Sequence, residues 1–389
     1  MAHKRSMKLP TLGITILSLA LAYAACSNES ASNISGAVTP MVSAGYAHTV
    51  AIRTNGTLWA WGSNDYGQVG NGTNSGVNVP VQIGTDTNWR AVVAGSYHTA
   101  AVRSDGTLWT WGYNFNGQLG NGTNVNSNAP VQVGTDNHWK SVAAGDSHTV
   151  VLKTDGSIWA WGNNVYGQLG NGTSTDSNTP VQVGTDTDWQ SVSARYGNTA
   201  AVRSDGTLWL WGWNAYGQLA DGTTTNSPTP LQVGAETDWQ AVSVGAGYII
   251  ALKTDGSIWA WGYNDDGQVG NGTTTNTSTP VQVGLSSLWQ SISAGDAHAV
   301  AIMTNESIWA WGNNANGQLG LGTTAESLGP SLVSSDTTWT LAAAGGSHTV
   351  AIQSGGTLWA WGWNAYGQLG TGTNTDATTP VQVGTDTNW

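Results

Sequence analysis

This chain is short of cysteine, phenylalanine and positive charge. Its 389 residues include one Cys, one Phe and 11 Lys and Arg, against 23 Asp and Glu, for a formal net charge of −12. Each shortage excludes something. A lone cysteine, Cys26, allows no disulfide within the chain. With Phe115 as the only phenylalanine, the core must be built from other side chains, and 23 tryptophans are available. Three of the basic residues, Lys4, Arg5 and Lys8, lie in the first 25 residues, where there is no acid. The remainder carries 8 basic and 23 acidic residues, a net of −15. Such a surface repels phosphate backbones and anionic membranes, which argues against nucleic acid as a partner.

The N-terminus reads as an export signal over residues 1–25. A basic stretch precedes an apolar run, Leu12–Ala22, that is too short to span a bilayer. Ala22-Tyr23-Ala24 is an A-x-A cleavage pattern. Ala24-Ala25-Cys26 resembles the end of a bacterial lipobox, although Tyr23 stands where an aliphatic residue is usual. The expectation is an extracytoplasmic protein, lipid-anchored through Cys26 or secreted, with no other link to a membrane. Residues 26–40 are polar and rich in small side chains, as in a flexible tether.

From Pro40 to Trp389 the chain consists of seven copies of one 50-residue unit, without insertion or deletion. Trp59, Trp61, Trp89 and Pro80 each recur at that step, so repeat positions hold 21 of the 23 tryptophans. A fixed period of this length means a repeat architecture in which no unit buries its apolar face alone. Each unit reads as four short strands, in the first copy Val42–Ala44, His48–Arg53, Leu58–Gly62 and Val79–Ile83. Asn55-Gly56 and its Asp-Gly counterparts predict type I′ hairpins. Asn305-Glu306 departs from them, and the expectation there is a different turn. Trp59 and Trp61, two residues apart, project to one side of their strand.

The repeat resembles that of the regulator of chromosome condensation family. The resemblance rests on V-x-A-G-x-x-H-T (Val142–Thr149) and on W-A-W-G-x-N-x-x-G-Q-L-G-x-G-T (Trp159–Thr173), and it covers residues 40–389. It implies an all-β fold over residues 41–389, a seven-bladed β-propeller of four-stranded blades with the first strand of each blade innermost. Three branches of the family differ in function. The nuclear exchange-factor branch fits poorly with an export signal, an acidic surface and the lack of an inserted wedge. The plant UV-B photoreceptor branch uses Arg–Asp-laced tryptophan clusters, for which this chain has too few basic residues. Secreted bacterial propellers, among them a β-lactamase inhibitor protein that binds with the loops of one face, fit best.

Candidate chemistry is sparse. His48, His98, His148, His298 and His348 share one repeat position, with Asn198 and Tyr248 in the other copies. Imidazoles spread round a ring sit too far apart to share a metal ion, so they read as structural. The Asp of G-T-D-T-[DN]-W (Gly184–Trp189) reads as turn chemistry, with weak calcium binding as the alternative. The glycine-rich G-Q-[LV]-G-x-G-T is blade geometry rather than a phosphate loop. No catalytic set and no cofactor site stand out.

Variation among the copies is more informative. Two windows vary, one after Gly45 and one after Gly62. In an antiparallel blade both connections leave at the same end, so both windows crowd one face of the ring. They carry Tyr46, Tyr66, Tyr97, Tyr113, Phe115, Tyr166, Tyr196, Trp213, Tyr216, Tyr263, Trp363 and Tyr366. Aromatic side chains give large contact area at low conformational cost and dominate binding hot spots. The expectation is a non-catalytic scaffold that binds a protein through this face. A glycan-binding propeller is the alternative, and a hydrolase or lyase a weaker one. Ring closure is expected to rest on packing between the first and seventh blades, with each blade complete in sequence and Trp389 against the first strand.

Overall fold

The structure, a computed structural model, describes residues 38–389. The signal segment, Cys26 and nearly all of the tether lie outside the described residues. Twenty-eight strands form seven four-stranded antiparallel sheets, each with its strands in sequence order. Blade one comprises Met41–Ala44, His48–Ile52, Leu58–Gly62 and Val77–Gln82. In blades two to seven the innermost strand begins at the recurring tryptophan, as in Trp89–Ala94. The inner strand of blade one packs on the inner two strands of blade seven, which closes the ring. The result is a seven-bladed β-propeller.

The core lies between blades. Each of seven apolar clusters joins two neighbours, such as Val50, Leu58 and Val69 of blade one with Trp89, Val92 and Trp111 of blade two. Trp111 is fully buried, and its Nε1–H donates to the carbonyl of Gln68 in the preceding blade at 2.9 Å. Gly70 follows closely because a Cβ there would lie 2.5 Å from that indole nitrogen. The glycine-rich motif is thus the lip on which the next blade's tryptophan docks. Trp389 contacts both Trp59 and Trp61, at centroid distances of 5.8 and 6.0 Å, so this pair does share one side of its strand.

The hairpin between second and third strands differs from the expected type I′ turn. Gly56 N–H donates to Arg53 C=O at 2.8 Å, and Arg53 N–H donates to Thr57 C=O at 3.0 Å. Of the turn residues only Gly56 has positive φ, at 75°. This is a type I turn closed by a left-handed residue, the three-residue hairpin with a bulge. The Asn or Asp before that residue is fixed differently from a type I′ position. In blade two the Asp105 carboxylate accepts from the amide and the hydroxyl of Thr107, at 3.0 and 2.7 Å. Glu306 keeps the same turn rather than another, at φ 62°, with its N–H on Met303 C=O at 2.9 Å. The blade's register outweighs the local strain.

No strand is borrowed across the ends, but one residue is. Blade one's inner strand starts at Met41 and lacks its tryptophan. Trp389 fills that place from the C-terminus. Asn388 C=O accepts from Thr54 N–H at 3.0 Å, as Asn88 C=O does from Ser104 N–H at 2.8 Å in blade two. The expectation that each blade is complete in sequence fails at this position.

Candidate functional site

The histidines are structural. His48, His98, His148, His298 and His348 each place Nε2 3.0 Å from a threonine hydroxyl of the next blade: Thr99, Thr149, Thr199, Thr349 and Thr49 respectively. Each of these hydroxyls donates its own proton to a glutamine carbonyl at 2.8 Å, as Thr199 does to Gln168. The imidazole must therefore be the donor, which fixes the Nε2–H tautomer. Burial keeps the rings neutral, lowering His98 to about 4 and the other four to about 3. The two exceptions are coupled. Asn198 and Tyr248 face blades whose threonine is replaced by Ile249 and Ala299. At this repeat position histidine occurs only where the next blade offers the hydroxyl.

The end of the ring bearing the first-to-second hairpins has different chemistry from the other. At the far end, Arg53, Arg103, Lys153, Arg203 and Lys253 lie between two indoles, Arg103 at 4.5 Å from the Trp89 centroid and 4.2 Å from that of Trp109. The acids of the G-T-D turns are their counter-ions: Arg103 meets Asp86 at 2.5 Å, Lys153 meets Asp136 at 2.6 Å, and Arg203 pairs with Asp186. The repeated aspartates thus serve side-chain cations of the protein. Among the described residues no group of three or more His, Cys, Asp or Glu is arranged to hold a metal ion.

The twelve aromatic residues come together at the near end as two clusters. Tyr366, Trp363, Tyr46, Tyr97, Tyr66, Tyr113 and Phe115 form an unbroken chain of ring contacts across blades seven, one and two, with centroids 4.8 to 6.5 Å apart. Tyr166, Tyr196, Trp213, Tyr216 and Tyr263 form a second chain across blades three to five, at 4.6 to 5.9 Å. Phe115 is 70% exposed, and Tyr46, Tyr66, Tyr196 and Tyr366 are also exposed.

Between the clusters lies an ionic group that the sequence reading missed. Arg195 replaces the glycine of A-G-x-x-H-T at the end of blade four's inner strand. It crosses the central channel, with Nε 2.7 Å from Asp296 of blade six and Nη1 3.3 Å from the Ala344 carbonyl of blade seven. Burial opposes its charge, but Asp296 more than restores it and holds the guanidinium protonated. The substitution is possible because His is absent: a Cβ at Gly145 would lie 2.2 Å from the His148 ring, whereas blade four has the smaller Asn198. Asp146 of blade three stands nearby. Ser96 donates to its Oδ1 at 2.5 Å, and desolvation with the negative charge of Asp296 raises its pKa. The signal was present in the sequence as the single copy that lacks this glycine.

A ring of seven such blades, with buried structural histidines and an aromatic loop face, is a regulator-type propeller. The RCC1-like domain pattern matches residues 32–251, and the regulator of chromosome condensation (RCC1) repeat matches residues 255–302, 305–352 and 355–388. The chain belongs to the regulator of chromosome condensation repeat family. Among solved structures it resembles Prp20p of Saccharomyces cerevisiae, at 20% identity and a TM-score of 0.76, over 84% of this chain and 85% of that one. It also resembles human WBSCR16, at 23% identity and a TM-score of 0.72, over 80% and 86%. These likenesses concern the fold.

Proposed function

We propose that this chain is a non-catalytic protein-binding propeller that engages its partner with the aromatic loop face. The observation that carries the reading is the concentration of twelve aromatic residues in the two variable windows, at one end of an otherwise repetitive ring. Side chains free of any packing duty would drift toward Ser, Asn, Asp and Gly, whereas these windows hold Tyr, Trp and Phe in mutual contact. Anchors of this kind supply most of the energy of protein interfaces. Protein recognition is a use to which the fold is put elsewhere, since Prp20p binds Gsp1p and histones. Export by the N-terminal signal and lipid attachment at Cys26 would place the face outside the cytoplasm.

The glycan alternative has one observation in its favour. A groove of about 450 Å³ on the rim between blades two and three is lined by Trp159, Gln132, Asn121 and Asp136, an aromatic platform with polar groups. Pull-down from cell-envelope extract beside a glycan array separates the readings. Protein capture that falls when Trp213→Ala and Trp363→Ala are combined supports the proposed face. Glycan binding that survives both changes would move the site to the rim. For the anchor, Cys26→Ser is expected to abolish labelling by a fatty-acid analogue, and undiminished labelling would rule the lipid out.

A further inference from the structure

Positive charge is segregated along the ring axis, while carboxylates occur at both ends. Among the described residues, seven of the eight basic side chains sit at the far end, in the indole sandwiches or at the start of an inner strand like Arg90 and Lys140. The near-end connections hold nine carboxylates and one cation, Arg195, which is already tied to Asp296 at 2.7 Å. The face that offers aromatic anchors is therefore strongly negative and has no free cation of its own.

Asp146 is the carboxylate best placed to use that field. Its backbone N–H donates to Tyr196 C=O at 3.3 Å, and its Oδ1 accepts from Ser96, the residue before Tyr97. It thus lies between the two aromatic clusters at the channel mouth. Ser96 is its one hydrogen-bond partner through the side chain among the described residues. Arg195, tied to Asp296, stands close enough to act on it, but only through charge. A carboxylate near the phenols of Tyr97 and Tyr196, partly desolvated and held by a single side-chain hydrogen bond, suits a guanidinium or ammonium group.

We propose that the partner of this face presents an arginine or lysine on a protruding loop, and that this side chain enters the channel mouth to pair with Asp146. The inference rests on the protein-binding reading. It adds the sign and position of the partner's central contact. A partner anchored only through apolar groups would bury Asp146 further with only the Ser96 hydrogen bond and the charge of Arg195 to offset it, which costs affinity.

The test is selection of a phage-displayed library of disulfide-closed random heptapeptides on the mature propeller. Selected peptides are expected to share one Arg or Lys. They should bind roughly thirtyfold more weakly to Asp146→Asn, the loss typical of truncating one partner of a buried charge pair. Replacing the shared Arg by its neutral isostere citrulline, or the shared Lys by norleucine, should cost as much on the unaltered protein. It should cost little more on Asp146→Asn, and the first of these comparisons holds even if that variant folds poorly. Peptides that need Trp213 and Trp363 but carry no shared cation, or bind Asp146→Asn unchanged, overturn the inference and leave the face standing. Peptides indifferent to both tryptophans overturn the face, and the inference with it.

Discussion

His148 donates its Nε2 proton across a blade boundary to the hydroxyl of Thr199, at 3.0 Å, while Thr199 passes its own proton to the Gln168 carbonyl at 2.8 Å. The relay is buried and links strands 51 residues apart in sequence. The natural exception, Asn198 opposite Ile249, shows how both partners are lost together. His148→Asn alone is expected to cost about 1–3 kcal/mol by stranding a buried hydroxyl. The double variant with Thr199→Ile should cost less than the two single changes summed. Chemical denaturation of the four proteins measures this, and strict additivity would contradict the coupling.

The same imidazoles set an acid limit. Their folded pKa values, about 3 to 4, lie below the ordinary 6.5. The unfolded chain therefore binds more protons between pH 6.5 and the folded values, and stability is full above that window and lost as pH falls through it. Each histidine contributes a slope of about 1.4 kcal/mol per pH unit there. Carboxylates held low, such as Asp136 at about 2, act only below pH 4. The melting temperature should fall steeply from pH 6 to 4, with less slope in His148→Asn/Thr199→Ile. Equal slopes would contradict neutral buried rings.

Seam strength depends on Trp389. Arg53 lies 3.9 Å from both the Trp59 and Trp389 centroids and pairs with Asp386 at 2.5 Å, which copies the contacts of a continuous blade junction without the covalent link. Trp389→Ala should cost about 3–5 kcal/mol, as core tryptophan truncations do, and expose the seam of blades one and seven. Trp189→Ala removes similar contacts where the chain is continuous. Hydrogen exchange should show loss of protection confined to blades one and seven in the first variant alone; equal protection of blades one, four and seven in both variants would contradict a weak seam.

Glu306 stores strain that glycine avoids elsewhere. Six of the seven hairpins place glycine at this left-handed position, and Glu306 adopts it at φ 62°. Glu306→Gly should stabilise the protein by about 1 kcal/mol, since a left-handed non-glycine residue costs about 1–3 kcal/mol and glycine returns part of that in chain entropy. An unchanged denaturation midpoint would mean that the side chain compensates the backbone.

The blades could be read from the sequence because a strict period turns local patterns into global order. Strand positions, the buried Trp61 series and the common end of the two variable windows all follow from alternation and spacing. What the reading missed depends on contacts between blades. The turn type is not legible because Asn-Gly suits two hairpins. Gly355-Gly356 makes the same turn with no Asn or Asp to cap it, so the blade's register makes the choice and the side-chain cap supports it where present. Arg195 was overlooked because its meaning needs Asp296 from a blade two places away. The His–Thr rule was within reach, since each pair lies 51 residues apart, but only the fold shows that neighbouring blades meet at those positions.

The central claim is that the aromatic end of the ring meets a protein. Site-specific photo-cross-linking tests it most directly, with benzoyl-phenylalanine placed at Phe115 on that end or at Leu285, 97% exposed, on the other. In cells expressing the full chain, position 115 should give a discrete adduct that disappears with Trp213→Ala and Trp363→Ala, and position 285 should give none. A discrete adduct from position 285 alone, or the same adduct from both ends, would contradict the account.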